Sequence, residues 1–211
     1  MGAELMLEST EQSLLIIEKR SRRDIVVGVP HHAPAGVSQL PCREPRAADE
    51  NAGFIGRHLA EKLDCCSVIA CNYTIDANKH VRSDYTMQIA EWNPAVLIEI
   101  HGHGKQKSKN DVEISCGSSE LTFYSEELAA SICVRLADDS ELAGIAVCGR
   151  FPDLIYKATN TLTITDGRWL AYHIELSPRL RKPEAGQTGK PTALAYRFCE
   201  HVAAVLREKH G

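Results

Sequence analysis

Residues 95–104, AVLIEIHGHG, constrain the fold more than any other part of the chain. Five of the first six residues are apolar and three are β-branched, which predicts a short buried strand. The strand ends at His101 and His103, each followed by a glycine that lets the chain turn sharply and leaves room for a ligand or metal. Open α/β sheets place their sites at the carboxyl ends of such strands. This stretch therefore predicts a central strand that carries a functional site.

The rest of the chain alternates between strand and helix patterns. Apolar spacing predicts helices that begin near Asp49, His80, Ser125 and Thr192. Strand patterns occur at residues 13–19, 24–29, 67–71, 111–116, 145–148, 161–165 and 169–176. The last two flank an Asp-Gly turn as in a hairpin, so the sheet should be mixed. We predict an α/β fold, a three-layer α/β/α sandwich with a mixed central sheet, in a single domain over residues 1–211.

Composition excludes several function classes. The chain has 211 residues, a hydrophobic fraction of 44% and a net charge of −4, with acidic and basic residues interspersed. This charge distribution does not indicate a binding surface for nucleic acid or for an anionic membrane. No apolar run has the length of a membrane span and no signal sequence is recognisable, so the expected location is cytoplasmic. The eight cysteines include no CxxC pair, which argues against a zinc-finger-like site.

Polar groups that suit a metal follow several predicted elements. Pro30 and Pro34 flank two histidines and predict a rigid loop after the strand at residues 24–29. Two imidazoles and one carboxylate around an open position are the usual ligands of a catalytic zinc, and a further carboxylate can then move protons. The candidates are His31 and His32, Asp49 and Glu50, His101 and His103, and Glu175 in the strand at residues 169–176.

Five short motifs occur in order along the chain, namely Val29-Pro30-His31, Asp49-Glu50, Asp76-Ala77-Asn78-Lys79, Glu99-Ile100-His101 and Glu175-Leu176-Ser177. With these motifs the chain resembles the N-formylglutamate amidohydrolase family over roughly residues 25–180. More distantly, it resembles zinc carboxypeptidases and aspartoacylase-like deacylases. The resemblance implies a zinc-carboxypeptidase-like (phosphorylase/hydrolase-like) fold with one Zn²⁺ per chain, or another divalent metal.

The resemblance also implies roles for individual residues. It assigns His31, Glu50 and His101 as zinc ligands and Glu175 as general acid and base. His32, Asp49 and His103 remain alternatives among the ligands. The resemblance implies that Asn78 and Lys79 bind an anionic group of the substrate. Arg82 is a further candidate for this role because it lies close by in the sequence, and Arg179 and Arg181, just after Glu175, are others. Lys79 stands where the family has arginine, and this loses bidentate recognition of a carboxylate.

These assignments predict a zinc-dependent hydrolase that cleaves an amide bond of an N-acyl amino acid or small peptide carrying an anionic group. One alternative is a binding protein that keeps the fold and a metal but has no catalytic activity. Another is a hydrolase with a cysteine nucleophile, although no cysteine lies beside a glycine at a strand-to-helix turn. The number of chains in the assembly is left open.

Overall fold

The computed structural model describes residues 3–33, 48–71, 73–104, 108–183 and 189–211. Nine strands form one mixed sheet in these parts of the chain. The strands are β1 Glu4–Ser9, β2 Leu14–Lys19, β3 Arg22–Ala33, β4 Asp49–Glu50, β5 Cys65–Cys71, β6 Val96–Gly102, β7 Val112–Ser115, β8 Val147–Cys148 and β9 Leu170–Leu176.

The order across the sheet is β1-β2-β5-β3-β6-β9-β7-β8, and β4 pairs with the end of β3. The central strands β5, β3, β6 and β9 run parallel to their neighbours in this group. Antiparallel pairing occurs between β1 and β2, β2 and β5, and β7 and β9. The predicted mixed sheet is thus confirmed.

Helices cover both faces of the sheet and complete the predicted three layers. They are α1 Ala52–Leu63, α2 Asp84–Trp92, α3 Thr122–Ala137, α4 Leu162–Thr165, α5 Pro178–Arg181 and α6 Ala193–His210. The apolar sides of α1, α3 and α6 pack with β3, β6 and β9 into one core, while α2 and Trp169 belong to a second core on the opposite face. No helix within the described ranges is long and apolar enough to cross a membrane.

The parallel centre of the sheet positions the candidate site. Because β3, β6 and β9 run in the same direction, their carboxyl ends lie along one edge of the sheet. His101 near the end of β6 is directly opposite Glu175 of β9. Asp49 in β4 pairs with His32 near the end of β3. The site is therefore built from four strands that are distant in the sequence.

The end of β3 corrects the predicted loop at the two histidines. The strand continues through His31 and His32 to Ala33 because β4 pairs alongside it. Pro30 falls within a register shift between β3 and β5, where a missing backbone N–H is tolerated. The predicted loop residues 34–36 lie outside the described residues.

The predicted hairpin at residues 161–176 is also wrong, although its second strand exists. Residues 162–165 form the short helix α4, despite their β-branched composition. Both edges of β9 are already paired, with β6 on one side and β7 on the other, so no hairpin partner has access. The Trp169 indole N–H donates to the carbonyl of Thr163 at 2.8 Å and fixes this turn.

Candidate metal centre

Three buried side chains from β3, β4 and β6 converge at the edge of the sheet. Nδ1 of His101 lies 3.1 Å from Oδ2 of Asp49, and Nδ1 of His31 lies 3.5 Å from the same oxygen. One nitrogen or oxygen from each of the three residues lies within 4.8 Å of the others. The imidazole rings of His31 and His101 are 5.3 Å apart between centroids. This is the spacing of a group that could hold one metal ion.

The opposite nitrogen of each imidazole contacts a second buried carboxylate. Nε2 of His31 lies 2.7 Å from Oδ1 of Asp76, and Nε2 of His101 lies 3.2 Å from Oε2 of Glu99. A carboxylate only accepts hydrogen bonds, so it favours the proton on Nε2. In the tautomer that can bind a metal, Nδ1 carries the free electron pair, and on both rings Nδ1 faces Asp49. Metal-binding histidines are typically oriented by carboxylates in this way.

Glu99 is itself held by two donors. The Tyr85 hydroxyl donates to Oε1 at 2.8 Å, and the Asn78 amide donates to Oε2 at 3.0 Å. Gly28 makes the first contact possible, because a Cβ at this position would collide with the Tyr85 hydroxyl. Tyr85 and Glu99 are completely buried. The orientation of His101 therefore depends on Glu99, which Tyr85 and Asn78 hold in place.

Buried negative charge dominates the electrostatics of this group. Burial alone would raise the pKa of Asp49, but its contacts with the imidazoles of His101 and His31 outweigh burial and hold the pKa well below its usual range. Burial alone would lower the pKa of His101, but Asp49 and Glu99 raise it to about 10. Without a metal, a proton on His101 balances part of this charge. A divalent cation is suited to the same place.

Glu175 lies beside this group on β9, together with His173. Because they are two residues apart on one strand, both side chains lie on the same face of the sheet. Nε2 of His173 lies 3.5 Å from Oε1 of Glu175, and its ring centroid is 4.3 Å from that of His101. His101, His173 and Glu175 form a second group that could hold a metal, and it shares His101 with the first.

A cavity of about 360 Å³ opens in front of both groups. Its wall includes Asp49, His101 and Glu175, and Lys79, His103 and Tyr156 are among the other lining residues. The volume is in the range of small-molecule sites. The candidate metal group and Glu175 therefore border the same solvent-accessible space.

The structure places Asp49, the alternative ligand, where the resemblance implied Glu50. The Glu50 carboxylate instead points to Lys182, whose Nζ lies 2.7 Å away. The pairing of β4 with β3 determines this difference, because adjacent residues of a strand point to opposite faces. His31 lies with His101 in the first group, and Glu175 lies with His101 in the second.

The two alternative histidines lie outside the candidate metal groups. Nδ1 of His32 accepts a hydrogen bond from the Gly53 backbone N–H at 3.1 Å, and burial lowers the pKa of His32 to about 4. His103 lines the cavity, where its ring stacks on Tyr156 with 5.1 Å between centroids.

The candidates for binding an anionic group have different surroundings. Asn78 lines the cavity but donates to Glu99, and Lys79 lines the cavity with its Nζ 2.9 Å from Oδ2 of Asp76. Arg82 is exposed and does not line the cavity. Of these three residues, Lys79 is the cation that lines the cavity and can contact a ligand there.

Arg179 and Arg181 contact the protein backbone. Arg179 is partly exposed and donates to the Gly144 carbonyl at 3.1 Å. Arg181 is buried and donates to three carbonyl oxygens, those of Leu176, Glu50 and His103, at 2.9, 2.7 and 3.1 Å. Gly102 leaves room for this guanidinium rather than for a ligand, since a Cβ there would collide with it. Arg181 thus joins the ends of three elements around the site.

Sequence reasoning assigned no role to several residues of the site. Asp76 and Glu99 each begin one of the five motifs. Glu99 is two positions before His101, so the two side chains lie on the same face of the strand. His173 has the same two-residue relation to Glu175. Tyr156 follows a short 3₁₀ helix and has no pattern around it that indicates a site.

The residues of the first group fit a divalent metal. Nδ1 of His31 is buried and has no hydrogen-bond partner among the described residues. Such an unpaired buried nitrogen is costly, and a metal bound together with Asp49 and His101 would satisfy it. Two imidazole nitrogens, one carboxylate oxygen and an adjoining cavity make up a site with an open position.

Comparisons with solved structures identify the same fold in hydrolases. A bacteriophage poly-gamma-glutamate hydrolase matches with a TM-score of 0.60 and 15% identity, over 97% of this chain and 93% of the other. N-formylglutamate amidohydrolase from Ralstonia eutropha matches with a TM-score of 0.57 and 10% identity, over 92% of this chain and 96% of the other. This chain has the same fold as these two proteins. The resemblance inferred from the five motifs is thereby confirmed at the level of the fold.

A gene product of Agrobacterium tumefaciens has the same fold, with a TM-score of 0.57 and 15% identity over 95% of this chain and 97% of the other. The sequence matches no protein-family model and no curated protein. The assignment of an activity therefore depends on the site itself.

Proposed function

We propose that this protein is a zinc-dependent hydrolase that cleaves an amide bond of an N-acyl amino acid or small peptide. The observation that carries the proposal is the pair of imidazoles that direct Nδ1 towards Asp49 while carboxylates hold Nε2. This group borders a cavity that also contains Glu175. A purely structural cluster would not require a cavity of this size in front of it.

His31, Asp49 and His101 would hold the zinc ion. A zinc ion held there would polarise the carbonyl of the scissile bond and lower the pKa of the attacking water. Asp76 and Glu99 keep the two imidazoles in the tautomer that can bind a metal. The same two carboxylates hold the rings in place before the metal arrives, so little rearrangement is required on binding.

Glu175 acts as general base and then as general acid. Its carboxylate borders the cavity beside His101 but is not one of the three proposed ligands. In this role Glu175 accepts a proton from the attacking water and delivers it to the leaving nitrogen, so that the amine departs as a neutral group. His173, 3.5 Å away, orients this carboxylate.

The substrate carries an anionic group that Lys79 binds at the rim of the cavity. The Lys79 side chain is 43% exposed and lies against Asp76, so its ammonium group remains accessible from the solvent side. Two proteins with this fold are named as hydrolases of poly-gamma-glutamate and N-formylglutamate, and both of these compounds contain carboxylates. We therefore place N-acylated acidic amino acids and short γ-linked glutamate peptides first among the substrates.

The test combines metal analysis with a substrate panel. Elemental analysis of the purified protein should find about one zinc per chain. The panel contains N-formylglutamate, N-acetylglutamate and γ-linked glutamate oligomers, with amine release measured before chelation, after chelation and after zinc is restored. Glu175→Gln should keep its zinc while turnover falls by roughly 10²- to 10⁴-fold.

Two outcomes would overturn the proposal in different ways. If the zinc-loaded protein hydrolyses no member of the panel, this result would favour the alternative function, a binding protein that keeps the fold and a metal but has no catalytic activity. Hydrolysis that persists at full rate after complete removal of metal would exclude the zinc mechanism. A Glu175→Gln variant that loses its metal would instead make Glu175 a ligand.

A further inference from the structure

The carboxylate of Glu113 is completely buried in β7 and holds two segments of the chain. Oε1 accepts hydrogen bonds from the Ser108 hydroxyl at 2.5 Å and from the Asn110 amide at 3.4 Å. Oε2 accepts from the backbone N–H groups of Ile155 and Tyr156, both at 2.9 Å. A buried carboxylate is costly unless donors surround it in this way. The proposed metal centre uses none of these contacts.

The strand β7 places Glu113 next to the proposed general base. In the antiparallel pairing of β7 with β9, Glu113 is directly opposite Glu175, so both side chains lie on the same face of the sheet. Ser115, two residues further along β7, lies on this face too and donates to the Lys157 carbonyl at 2.7 Å. Two side chains of β7 thus hold the backbone of residues 155–157.

The segment that β7 holds forms one wall of the cavity. Tyr156, Ala158 and Thr161 line the cavity, as does Glu175. Ala158 has a φ of 53°, in the left-handed region that a residue with a Cβ rarely adopts, so contacts with the rest of the protein must maintain this backbone. Burial raises the pKa of Tyr156, and the charge of Glu175 raises it further, so the phenol stays protonated near this carboxylate.

We propose that Glu113 is a positioning residue that fixes Tyr156 through the two backbone N–H groups, so that the Tyr156 ring forms a rigid wall against which the substrate binds. The substrate is that of the proposed hydrolysis, on which this inference rests. Glu113 does not line the cavity, so it acts on the substrate only through the segment that it holds. A wall that is already ordered favours affinity because less freedom is lost on binding.

Two substitutions of Glu113 separate its hydrogen bonds from the bulk of its side chain. Glu113→Met keeps the length of the side chain but removes both acceptor oxygens. Glu113→Gln keeps one oxygen for the two backbone N–H groups, since Oε2 alone accepts from both. The new amide group can donate to the Ser108 hydroxyl, which also accepts hydrogen bonds.

Calorimetry with N-formylglutamate in the Glu175→Gln background measures binding without turnover. We expect Kd to rise about 10-fold or more in Glu113→Met, as for loss of a well-packed aromatic contact, and by less than about 3-fold in Glu113→Gln. Equal Kd values for Glu113→Met and the parent, or no binding to the parent, overturn the inference. A rise in Glu113→Gln as large as in Glu113→Met would mean that the charge matters rather than the acceptor oxygen, and this also overturns it.

Glu18→Met is the matched control. Glu18 is a second buried carboxylate, which contacts Arg20 and Arg57 and does not line the cavity. This variant should lose stability but keep the Kd of the parent. Equal rises in Kd for Glu18→Met and Glu113→Met would make general destabilisation the cause and would overturn the inference.

A double-mutant cycle tests whether Glu113 acts through Tyr156. Tyr156→Ala removes the wall and should itself weaken binding, so Glu113→Met should then change Kd by less than about 2-fold in the Tyr156→Ala background. A purely structural role of Glu113 would weaken binding by the same factor in both backgrounds, and that result overturns the inference.

If Glu113→Met does not fold, Ile155→Pro takes its place in the cycle. Ile155 is 52% exposed, and proline removes one of the two N–H donors without a change in the core. Leu154 already has the extended conformation that a following proline requires. Kd should rise about 3-fold or more with Tyr156 present and stay constant in Tyr156→Ala, as for loss of one hydrogen bond. An unchanged Kd with Tyr156 present overturns the inference.

Kinetics separate this inference from the proposed function. If the parent hydrolyses N-formylglutamate, KM should rise in Glu113→Met while kcat changes little, as for loss of ground-state binding. Zinc content should stay constant because Glu113 lies outside both candidate metal groups. Hydrolysis with an unchanged KM overturns the inference and leaves the proposed function intact. A weaker Kd in Glu113→Met that depends on Tyr156 supports the inference even if the parent hydrolyses nothing.

Discussion

The carboxylate of Asp49 lies 3.1 Å from Nδ1 of His101, and both side chains are buried at the carboxyl edge of the sheet. This contact joins β4 to β6 across 52 residues of sequence. It makes the choice between two adjacent acids experimentally accessible, because Glu50 points away to Lys182.

Asp49→Asn should lose zinc affinity, whereas Glu50→Gln should keep it. The asparagine side chain is neutral, so the substitution removes one of the three proposed ligands. The loss of zinc affinity should therefore exceed the roughly 10- to 100-fold that is typical when a residue hydrogen-bonded to a ligand is replaced. Glu50→Gln removes a partly exposed ion pair, which contributes little to stability. Competition with a zinc-sensitive chelator measures both affinities. Equal losses in the two variants would contradict the assignment of Asp49.

His101→Ala should lower metal content strongly, and His103→Ala should retain most of it. His101 contacts Asp49 and Glu99 through its two nitrogens, whereas His103 lies outside both candidate metal groups. Elemental analysis of the two proteins after identical purification provides the comparison. If His103→Ala loses as much metal as His101→Ala, the proposed ligand set is incorrect.

Glu99→Gln should weaken zinc binding by about 10- to 100-fold although Glu99 is not a ligand. The amide can donate as well as accept, so it no longer selects the His101 tautomer with the proton on Nε2. Tyr85→Phe is the control, since it removes one hydrogen bond at 2.8 Å but leaves the carboxylate in place. Its effect on affinity should be clearly smaller. An unchanged affinity in Glu99→Gln would show that this carboxylate does not orient the ring.

Arg181→Met should destabilise the protein by about 3 kcal/mol, because three carbonyl groups lose a buried donor. Arg179→Met removes a similar side chain from the same short helix, but Arg179 is partly exposed and should contribute less than about 1 kcal/mol. Urea denaturation of both variants measures the difference. Similar free energies of unfolding for the two would mean that Arg181 does not join these elements as inferred.

The local sequence pattern determined the strands that carry the site. The apolar residues before His101 and around Glu175 correctly predicted β6 and β9, because a strand between covered faces needs apolar residues along its length. The period of two in these strands puts Glu99 with His101 and His173 with Glu175 on shared faces, although sequence reasoning gave Glu99 and His173 no role. The order of the five motifs was sufficient to indicate the fold that this chain shares with N-formylglutamate amidohydrolase.

Only the tertiary structure decided which neighbouring side chain faces the site. Asp49 and Glu50 are adjacent and chemically similar, and a shift of one residue exchanges their faces. The pairing of β4 with the end of β3 determines this register, and that contact is not encoded by any local period. In the same way, Arg181 fills the space beside Gly102, and Tyr156 holds the ring of His103. These contacts join residues that are far apart in the chain, so packing rather than local sequence pattern selects them.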